Sequence, residues 1–226
     1  MKVVPIIPAL NPDDKLIKLV SELKKDFKNI IIVNDGSESD LIFKRLSKDC
    51  IILTHDINKG KGEALKTAFN YYLDNLSSEY LGVVCLDSDG QHLPSDVIKL
   101  SEVLEKEDKF VLGTRLFNTK STPIRNKLGN RITSRVFKLL YRTYLKDTQT
   151  GLRAIPNRLI KPLLRVDGSR FEYELNVLIK LVKMKEEIQE VDIKTVYLKN
   201  SNKKSHFKVI NDSIRIYKVM IKGKNL

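Results

Sequence analysis

Short apolar runs alternate with amphipathic stretches through the first half of the chain. The runs are apolar throughout, which is typical of strands that helices cover on both faces, and they predict strands at 3–7, 29–33, 51–54, 80–86 and 109–113. Between them, apolar residues recur at helical spacing and predict helices at 13–27, 39–47, 62–73 and 94–104. A strand–helix series of this type predicts a parallel doubly wound sheet, whose ligands bind beyond the carboxyl ends of the strands.

The second half of the chain follows a different plan. Its pattern predicts a long helix at 123–144, strands at 150–154 and 190–197, and further helices at 171–183 and 207–221. No linker, repeat or low-complexity segment separates the two halves. We therefore expect a single domain over 1–226, in which 113–226 elaborates the α/β half formed by 1–112.

The composition is that of a folded soluble protein, because hydrophobic residues make up 42% of 226 positions. Cys50 and Cys85 lie in apolar runs without a CxxC motif, which favours buried free thiols and a reducing cytosol. The first residues read as a strand and not as a signal peptide. No apolar run approaches the roughly 20 residues of a membrane-spanning helix, so we expect a cytoplasmic protein that can still lie on a membrane surface.

Positive charge is concentrated in the second half of the chain. Residues 1–112 hold 15 Lys and Arg against 19 Asp and Glu, whereas 113–226 hold 26 against 9. The stretch 120–146 has eight cations and no acid, with apolar residues at helical spacing: Leu128, Ile132, Val136, Leu139 and Leu140. This pattern predicts a basic amphipathic helix at an anionic membrane surface. The alternative is a solvated helix packed on the core through its apolar stripe, and charge alone also allows nucleic acid or a phosphorylated substrate.

Two carboxylates follow the predicted strand 80–86. Asp87 and Asp89 are spaced i, i+2 where the strand gives way to a polar loop, so both can reach one hard divalent cation. Unpaired carboxylates this close repel each other unless a cation or a proton intervenes. A metal there would neutralise a nucleotide diphosphate, which indicates an enzyme that moves a group from a nucleotide. The alternative is a pair of solvated turn aspartates.

Four other polar segments follow predicted strands or helices. Asp35 is placed to accept hydrogen bonds from a base or a ribose, although an Asp-Gly turn needs the same residues for its backbone. Lys61 precedes a helix whose N-terminus suits a phosphate. Arg115 suits a bidentate phosphate contact or a surface ion pair. Asp147, directly after the basic helix, is placed to orient an acceptor or to pair with an arginine.

These segments, in this order, resemble the family 2 glycosyltransferases with the GT-A fold, in particular dolichyl-phosphate mannose synthases and bacterial polyprenyl-phosphate glucosyltransferases. The resemblance covers roughly residues 3 to 215 and rests on 7–11, 34–37, 58–62, 87–92, 113–115, 125–131, 147–153 and 204–207. It implies an α/β fold of the GT-A (Rossmann-like) type, with a mixed, mostly parallel sheet flanked by helices and a basic C-terminal elaboration.

The resemblance also implies residue roles. The catalytic residues would be Asp89, Asp147 and Arg115. The nucleotide sugar would be bound in the half 1–112 by Pro8, Ala9, Asn11, Asp35, Lys61, Asp87 and Ser88. The acceptor phosphate would be bound in the half 113–226 by Arg115, Arg125, Arg131, Lys203, Lys204 and Ser205. Mg²⁺ or Mn²⁺ would be held on the diphosphate by Asp87, Asp89 and Gln91.

The implied activity is an inverting, metal-dependent transfer of a hexose from a nucleotide sugar to polyprenyl phosphate, for cell-envelope glycan synthesis. UDP-glucose is the first expected donor and GDP-mannose the second. The sequence lacks the transmembrane helices of several relatives, so the expected location is peripheral, on the inner face of the cell membrane. Leu10 and Asn34 depart from the family pattern, which has an aromatic residue and an Asp at these positions in many members.

Three alternatives remain. A family 2 glycosyltransferase acting on a saccharide or a protein would not need the cationic surface. A nucleotidyltransferase with the same α/β plan would release pyrophosphate. A basic nucleic-acid-binding module is a different class, but the chain shows no recognition motif and its paired acids would repel phosphate without a metal, so nucleic acid is not an expected partner.

Overall fold

The structure is a computed structural model that describes residues 1–116 and 124–194, with only the backbone described at 124–128. Strands in this part of the chain are β1 Val3–Ala9, β2 Ile31–Asp35, β3 Ile51–His55, β4 Gly82–Cys85, β5 Phe110–Arg115, β6 Arg153–Pro156 and β7 Ile188–Ile193. Helices are α1 Asp14–Leu23, α2 Leu41–Leu46, α3 Lys61–Asn75, α4 Pro94–Glu107, α5 Ile124–Tyr141, α6 Asn157–Leu164 and α7 Glu172–Lys183. The helix predicted at 207–221 lies outside the described residues.

The strands form one sheet in the order β3-β2-β1-β4-β6-β5-β7. β1 to β4 are parallel where they pair, and β5 pairs with β7 in parallel. β6 is antiparallel to both of its neighbours, β4 and β5. The predicted mixed, mostly parallel sheet with flanking helices is therefore confirmed, although β4 and β5 are not neighbours.

The position of β6 determines where the active-site loops meet. Because β6 runs against its neighbours, its first residue, Arg153, lies beside Cys85 near the end of β4 and beside Leu112 in β5. The loop that precedes β6 is thereby brought to the carboxyl ends of β4 and β5. This edge of the sheet is where ligands bind in open α/β folds.

Alternating residues of each strand point to opposite faces of the sheet, and each face is covered by a hydrophobic core cluster. In β1, Val4 and Ile6 face a cluster formed with α3, α6 and α7, whereas Val3 and Ile7 face one formed with α1, α2 and α4. All four side chains are at most 1% exposed. Cover on both faces explains why the strands read as continuous apolar runs.

One helix was not expected from the pattern. α6 contains Pro162, which interrupts helical hydrogen bonding and so argues against a helix when read along the sequence. Its buried face, formed by Leu159, Ile160 and Leu163, packs into the core beside α3. Burial of three large apolar side chains outweighs the penalty of the proline here.

Candidate active site

Asp35 ends β2 and positions the loop that begins α3. Its Oδ1 accepts a hydrogen bond from the Lys59 backbone N–H at 2.9 Å, and its Oδ2 accepts one from Gly60 at 2.9 Å. His55 Nδ1 lies 2.7 Å from the same Oδ1, and its Nε2 lies 2.9 Å from Thr67 Oγ1. Asp35 is 4% exposed, and its carboxylate contacts protein groups in this structure. A contact with the nucleoside stays a prediction.

The loops after β1 and β2 are tied together at the same edge. Asn11, which has φ 48°, donates its backbone N–H to Ser37 Oγ at 2.8 Å and accepts from the Glu38 N–H at 2.8 Å through its side chain. Pro8 and Ala9 are the last two residues of β1, and both are buried. The residues predicted to hold the nucleotide sugar therefore lie on connected loops, in a position fixed by neighbouring strands.

Lys61 lies between two carboxylates at the N-terminus of α3. Its Nζ is 2.6 Å from Asp87 Oδ1 and 2.9 Å from Glu174 Oε2, and its side chain is 15% exposed. Burial alone would lower the pKa of Lys61, but the two carboxylates outweigh it and the pKa is raised. Burial would likewise raise the pKa of Asp87, yet Lys61 and further cationic groups nearby hold it below its ordinary value.

His92 and Gly151 fix the position of Asp87 from two sides. His92 Nδ1 accepts the Asp87 backbone N–H at 3.2 Å, and His92 Nε2 lies 3.8 Å from Asp87 Oδ2. Burial lowers the pKa of His92 to about 4, so its ring is neutral near pH 7. On the other side, a Cβ atom at position 151 would lie 2.5 Å from Asp87 Oδ2, so a larger residue there would force the Asp87 carboxylate or the loop before β6 to shift.

The donor set of Asp87 and Asp89 fits a divalent cation that arrives with phosphate. Burial and the negative charge of Asp87 raise the pKa of Asp89, a repulsion that a cation between them would relieve. Asp89 Oδ1 accepts the Gln91 backbone N–H at 3.0 Å. Within the described residues no group of three or more His, Cys, Asp or Glu side chains could hold a metal. Mg²⁺ is commonly bound by one or two carboxylates together with substrate phosphates, which matches this set.

Asp147 is paired with Arg115 and is fully buried. Arg115 donates from Nε to Oδ2 at 2.6 Å and from Nη2 to Oδ1 at 2.9 Å, a bidentate ion pair. The backbone N–H groups of Arg115 and Gln149 donate to the same carboxylate at 3.3 and 3.0 Å. Of the two roles that the sequence left open for Asp147, pairing with an arginine is therefore the one present in the structure.

Glu174 and Arg153 are parts of this site that sequence reasoning missed as functional residues. Glu174 lies on α7, far along the chain from the other groups, and no motif marks it. Arg153 begins β6, is 3% exposed, and donates through Nη1 to the Glu174 backbone carbonyl. Arg153 lies in the segment 147–153 that carries the resemblance, and an arginine in a predicted strand was a further signal, because burial of a charge requires nearby partners.

The outward face of α5 is apolar and basic. Among the side chains of α5 that the structure describes, 129–141, the buried ones are Asn130, Thr133, Ser134 and Phe137. On the opposite face, Ile132 is 43% and Leu139 is 80% exposed, and the cations Arg131, Arg135 and Lys138 are exposed around them. Part of the predicted apolar stripe thus faces outward and does not pack on the core.

Several predicted acceptor residues cannot be placed. The side chain of Arg125 and the residues Lys203, Lys204 and Ser205 lie outside the described part of the chain. Arg131 is described and exposed on α5. In residues 1–116 and 124–194, no helix has both the length and the apolar character needed to cross a membrane.

Residues 6–161 match the family model of glycosyl transferase family 2. The chain belongs to this family. It is 33% identical over 223 residues to the UDP-N-acetylglucosamine–dolichyl-phosphate N-acetylglucosaminyltransferase of Methanococcus voltae, with 87% of this chain and 86% of that protein covered. It is also 25% identical to glycosyltransferase AglJ of Haloferax volcanii, over 76% of this chain and 56% of that protein.

Solved structures support the same fold. Glucosyl-3-phosphoglycerate synthase from Mycobacterium tuberculosis, in complex with Mn²⁺, UDP and glucosyl-3-phosphoglycerate, superposes with a TM-score of 0.71 at 15% identity, covering 99% of this chain and 80% of that one. GalNAc-T7 with UDP, GalNAc and Mn²⁺ gives a TM-score of 0.54 at 11% identity over 86% of this chain and 44% of that one. The predicted GT-A fold is confirmed, and the chain is a glycosyltransferase.

Proposed function

We propose that this glycosyltransferase moves a sugar from a uridine diphosphate donor to polyprenyl phosphate, with inversion at the anomeric carbon. The product is a lipid-phosphate-linked sugar for glycan synthesis at the cell envelope. Support comes from the relative at 33% identity, whose name specifies a UDP sugar and dolichyl phosphate. It also comes from the outward face of α5, which is suited to an anionic lipid surface.

The relative at 33% identity changes the order in which we expect the sugar donors. The sequence favoured UDP-glucose and then GDP-mannose, whereas the relative's printed donor is UDP-N-acetylglucosamine. We therefore place UDP-N-acetylglucosamine first and UDP-glucose second. Both carry the uridine and the diphosphate that the loops after β1, β2 and β4 are proposed to bind.

Asp87, Asp89 and Gln91 are the residues proposed to hold Mg²⁺ or Mn²⁺. The bound ion would stabilise the negative charge that grows on the leaving diphosphate. The Mycobacterium tuberculosis synthase is described with Mn²⁺ and UDP, which agrees with this choice of ion. The backbone N–H of Asp87 donates to His92 Nδ1, and Gly151 leaves room for the Asp87 carboxylate, which supports a position of Asp87 that is set before the donor binds.

Arg115 is proposed to position the acceptor phosphate, with Arg125, Arg131, Lys203, Lys204 and Ser205 as further contacts. A phosphate monoester is already anionic at neutral pH, so its attack does not require a strong general base. Asp147 receives four N–H groups and has no solvent exposure. We therefore assign Asp147 the task of orienting Arg115 and not that of removing a proton.

The exposed pair Ile132 and Leu139, among the cations of α5, is the structural observation that favours a membrane-borne acceptor. A long polyprenyl chain resides in the bilayer, so the enzyme has to meet its acceptor at the surface. α5 is connected to the loop before β6, because Asn130 Nδ2 donates to the carbonyl of Lys146, which precedes Asp147, at 2.7 Å. A membrane contact through α5 would place the Arg115 site near the lipid phosphate, on the cytoplasmic face.

The function is tested by incubating the protein with polyprenyl phosphate in liposomes, Mg²⁺, and separate UDP-N-acetylglucosamine, UDP-glucose and GDP-mannose. We expect glycolipid from a UDP sugar, loss of product with EDTA, and an inverted anomeric configuration by NMR. Transfer to a soluble saccharide with no glycolipid would refute the proposed acceptor.

Membrane attachment has its own test, flotation with anionic liposomes. The double variant Ile132→Asp/Leu139→Asp should lose binding, because charge is placed on the face that meets the lipid. Leu41→Asp is the matched control, since Leu41 is 67% exposed on α2, away from α5. Equal flotation of the double variant and the wild type would contradict attachment through α5.

A further inference from the structure

The ammonium group of Lys61 contacts the same carboxylate that is proposed to bind the metal. Lys61 Nζ lies 2.6 Å from Asp87 Oδ1. Two cations on one carboxylate repel each other, and the Lys61 side chain is only 15% exposed, so solvent screens that repulsion incompletely although the Asp87 side chain is 35% exposed. A divalent ion on Asp87 and the observed position of Lys61 are therefore in competition.

Glu174 offers Lys61 a second carboxylate. Its Oε2 already lies 2.9 Å from Lys61 Nζ. Its Oε1 is buried and has no hydrogen-bond partner within the described residues, and Glu174 as a whole is 9% exposed. A buried carboxylate oxygen without a donor is costly, so Glu174 has unused capacity to accept a hydrogen bond from the ammonium.

We propose that Glu174 is a positioning residue that retains Lys61 when a divalent cation displaces its ammonium from Asp87. This inference rests on the proposed function, because it requires the metal to bind at Asp87. Lys61 has a flexible four-carbon side chain, so its ammonium can leave Asp87 while its backbone stays in α3. Held by Glu174, the ammonium remains near the diphosphate that accompanies the metal.

The backbone around Glu174 is fastened to the start of α3. The Glu63 N–H donates to the Ser169 carbonyl at 3.1 Å, and Lys66 Nζ donates to the Gly168 carbonyl at 3.0 Å. A Cβ atom at Gly62 would lie only 2.7 Å from Tyr173 Cβ. The distance between Glu174 and Lys61 is therefore set by two packed elements, as a positioning role requires.

If Lys61 and the metal compete for Asp87, two substitutions should change the Mn²⁺ affinity in opposite directions. Without nucleotide, Lys61→Met should bind Mn²⁺ more tightly, by roughly tenfold, because the competing cation is gone. Glu174→Gln should bind Mn²⁺ more weakly, because Asp87 is then the one carboxylate partner that Lys61 retains among the described residues. In the double variant Lys61→Met/Glu174→Gln, the effect of Glu174→Gln should disappear, since Glu174 acts through Lys61.

The measurement is Mn²⁺ affinity by electron paramagnetic resonance on the full chain, with and without UDP. Lys109→Met is the control for loss of one lysine charge: Lys109 directly precedes β5, its side chain is 31% exposed, and it pairs with Glu107 and Glu187. Its Mn²⁺ affinity should equal that of the wild type. Thermal unfolding checks each variant, and Lys61→Gln replaces Lys61→Met if the latter does not fold.

Two results would overturn the inference while leaving the proposed function intact. One is Mn²⁺ binding that Asp87→Asn abolishes but Lys61→Met leaves unchanged. The other is an equal effect of Glu174→Gln in the presence and absence of Lys61, which would mean that Glu174 acts only through its charge. A wild-type protein that binds no Mn²⁺, even with UDP, would refute the metal site and this inference together.

Discussion

Replacing Asp147 with Asn tests whether this residue orients Arg115 or removes a proton. Asparagine has the same shape, but its NH₂ group would face a donor of Arg115 in place of a carboxylate oxygen. Removing one partner of a buried ion pair costs about 3–5 kcal/mol. Since the Arg115 side chain keeps 19% exposure, we expect the lower end of this range, about 3 kcal/mol.

For a chain of 226 residues, that loss should lower the melting temperature by about 6–12 °C. Activity should fall as well, by about 10²-fold in kcat, because Arg115 is no longer held in place. The KM for the nucleotide sugar should stay near its wild-type value, since the described hydrogen bonds of the Asp147 carboxylate come from Arg115 and Gln149, neither of which is proposed to bind the donor.

The assays are differential scanning fluorimetry and steady-state kinetics over a range of pH. Asp14→Asn is the control, because the Asp14 side chain is 86% exposed and its ion pair with Arg45, at 3.3 Å, lies on the surface. Its effect should stay below about 0.5 kcal/mol. Three results together would refute the orienting role of Asp147: an unchanged melting temperature of Asp147→Asn, a fall in its kcat of more than about 10⁴-fold, and loss of the acidic limb from the pH dependence of kcat.

Three other substitutions test the donor side of the site. Asp89→Ala should lower kcat by about 10²–10³-fold through loss of metal binding while the melting temperature hardly changes; near-normal kcat would contradict its role. Gly151→Ala places a Cβ 2.5 Å from Asp87 Oδ2 and should weaken Mn²⁺ binding by about tenfold, whereas Gly129→Ala, with nothing within 4 Å, should not. His92, with its pKa lowered from 6.5 to about 4 by burial, stays neutral in the folded state while the unfolded chain takes up a proton, so stability is lost as pH falls from 6.5 towards 4. Urea unfolding at pH 7 and pH 4.5 should show His92→Asn losing about 2 kcal/mol less than the wild type, and an equal or larger loss in the variant would contradict this.

The sequence could predict the edge at which the donor site forms. Asp35 and Asp87 each follow an apolar run, and parallel strands place their carboxyl ends together, so convergence of their loops was readable from the pattern. Lys61 was assigned to the same edge. Its pairing with Asp87 was not readable, because spacing along the chain does not give side-chain direction.

The pairing of strands that are distant along the chain could not be predicted from the hydrophobic pattern. The insertion of β6 between β4 and β5 depends on how strands from distant parts of the chain pair, which local periodicity does not encode. That insertion brings Gly151 against Asp87 and Asp147 to Arg115. Glu174 was missed for the same reason, since α7 approaches α3 only through tertiary packing.

The apolar stripe of α5 is divided: Val136 and Leu140 pack against the core, whereas Ile132 and Leu139 are exposed. Polar side chains occupy part of the buried face because the loop before β6 supplies their partners: Asn130 donates to the Lys146 carbonyl, and Gln149 Nε2 donates to Thr133 Oγ1 at 3.3 Å. Buried polar groups are tolerated when they are hydrogen-bonded. Ile132 and Leu139 consequently face outward.

The most direct test of the proposed reaction is to quantify both products of one incubation with polyprenyl phosphate, UDP sugar and Mg²⁺. Glycosyl transfer to the lipid phosphate predicts UDP and lipid monophosphate sugar in equal amounts, with both lost when Asp87→Asn replaces the wild type. Release of UMP with a pyrophosphate-linked lipid, or UDP without any glycolipid, would contradict the reaction proposed for this site.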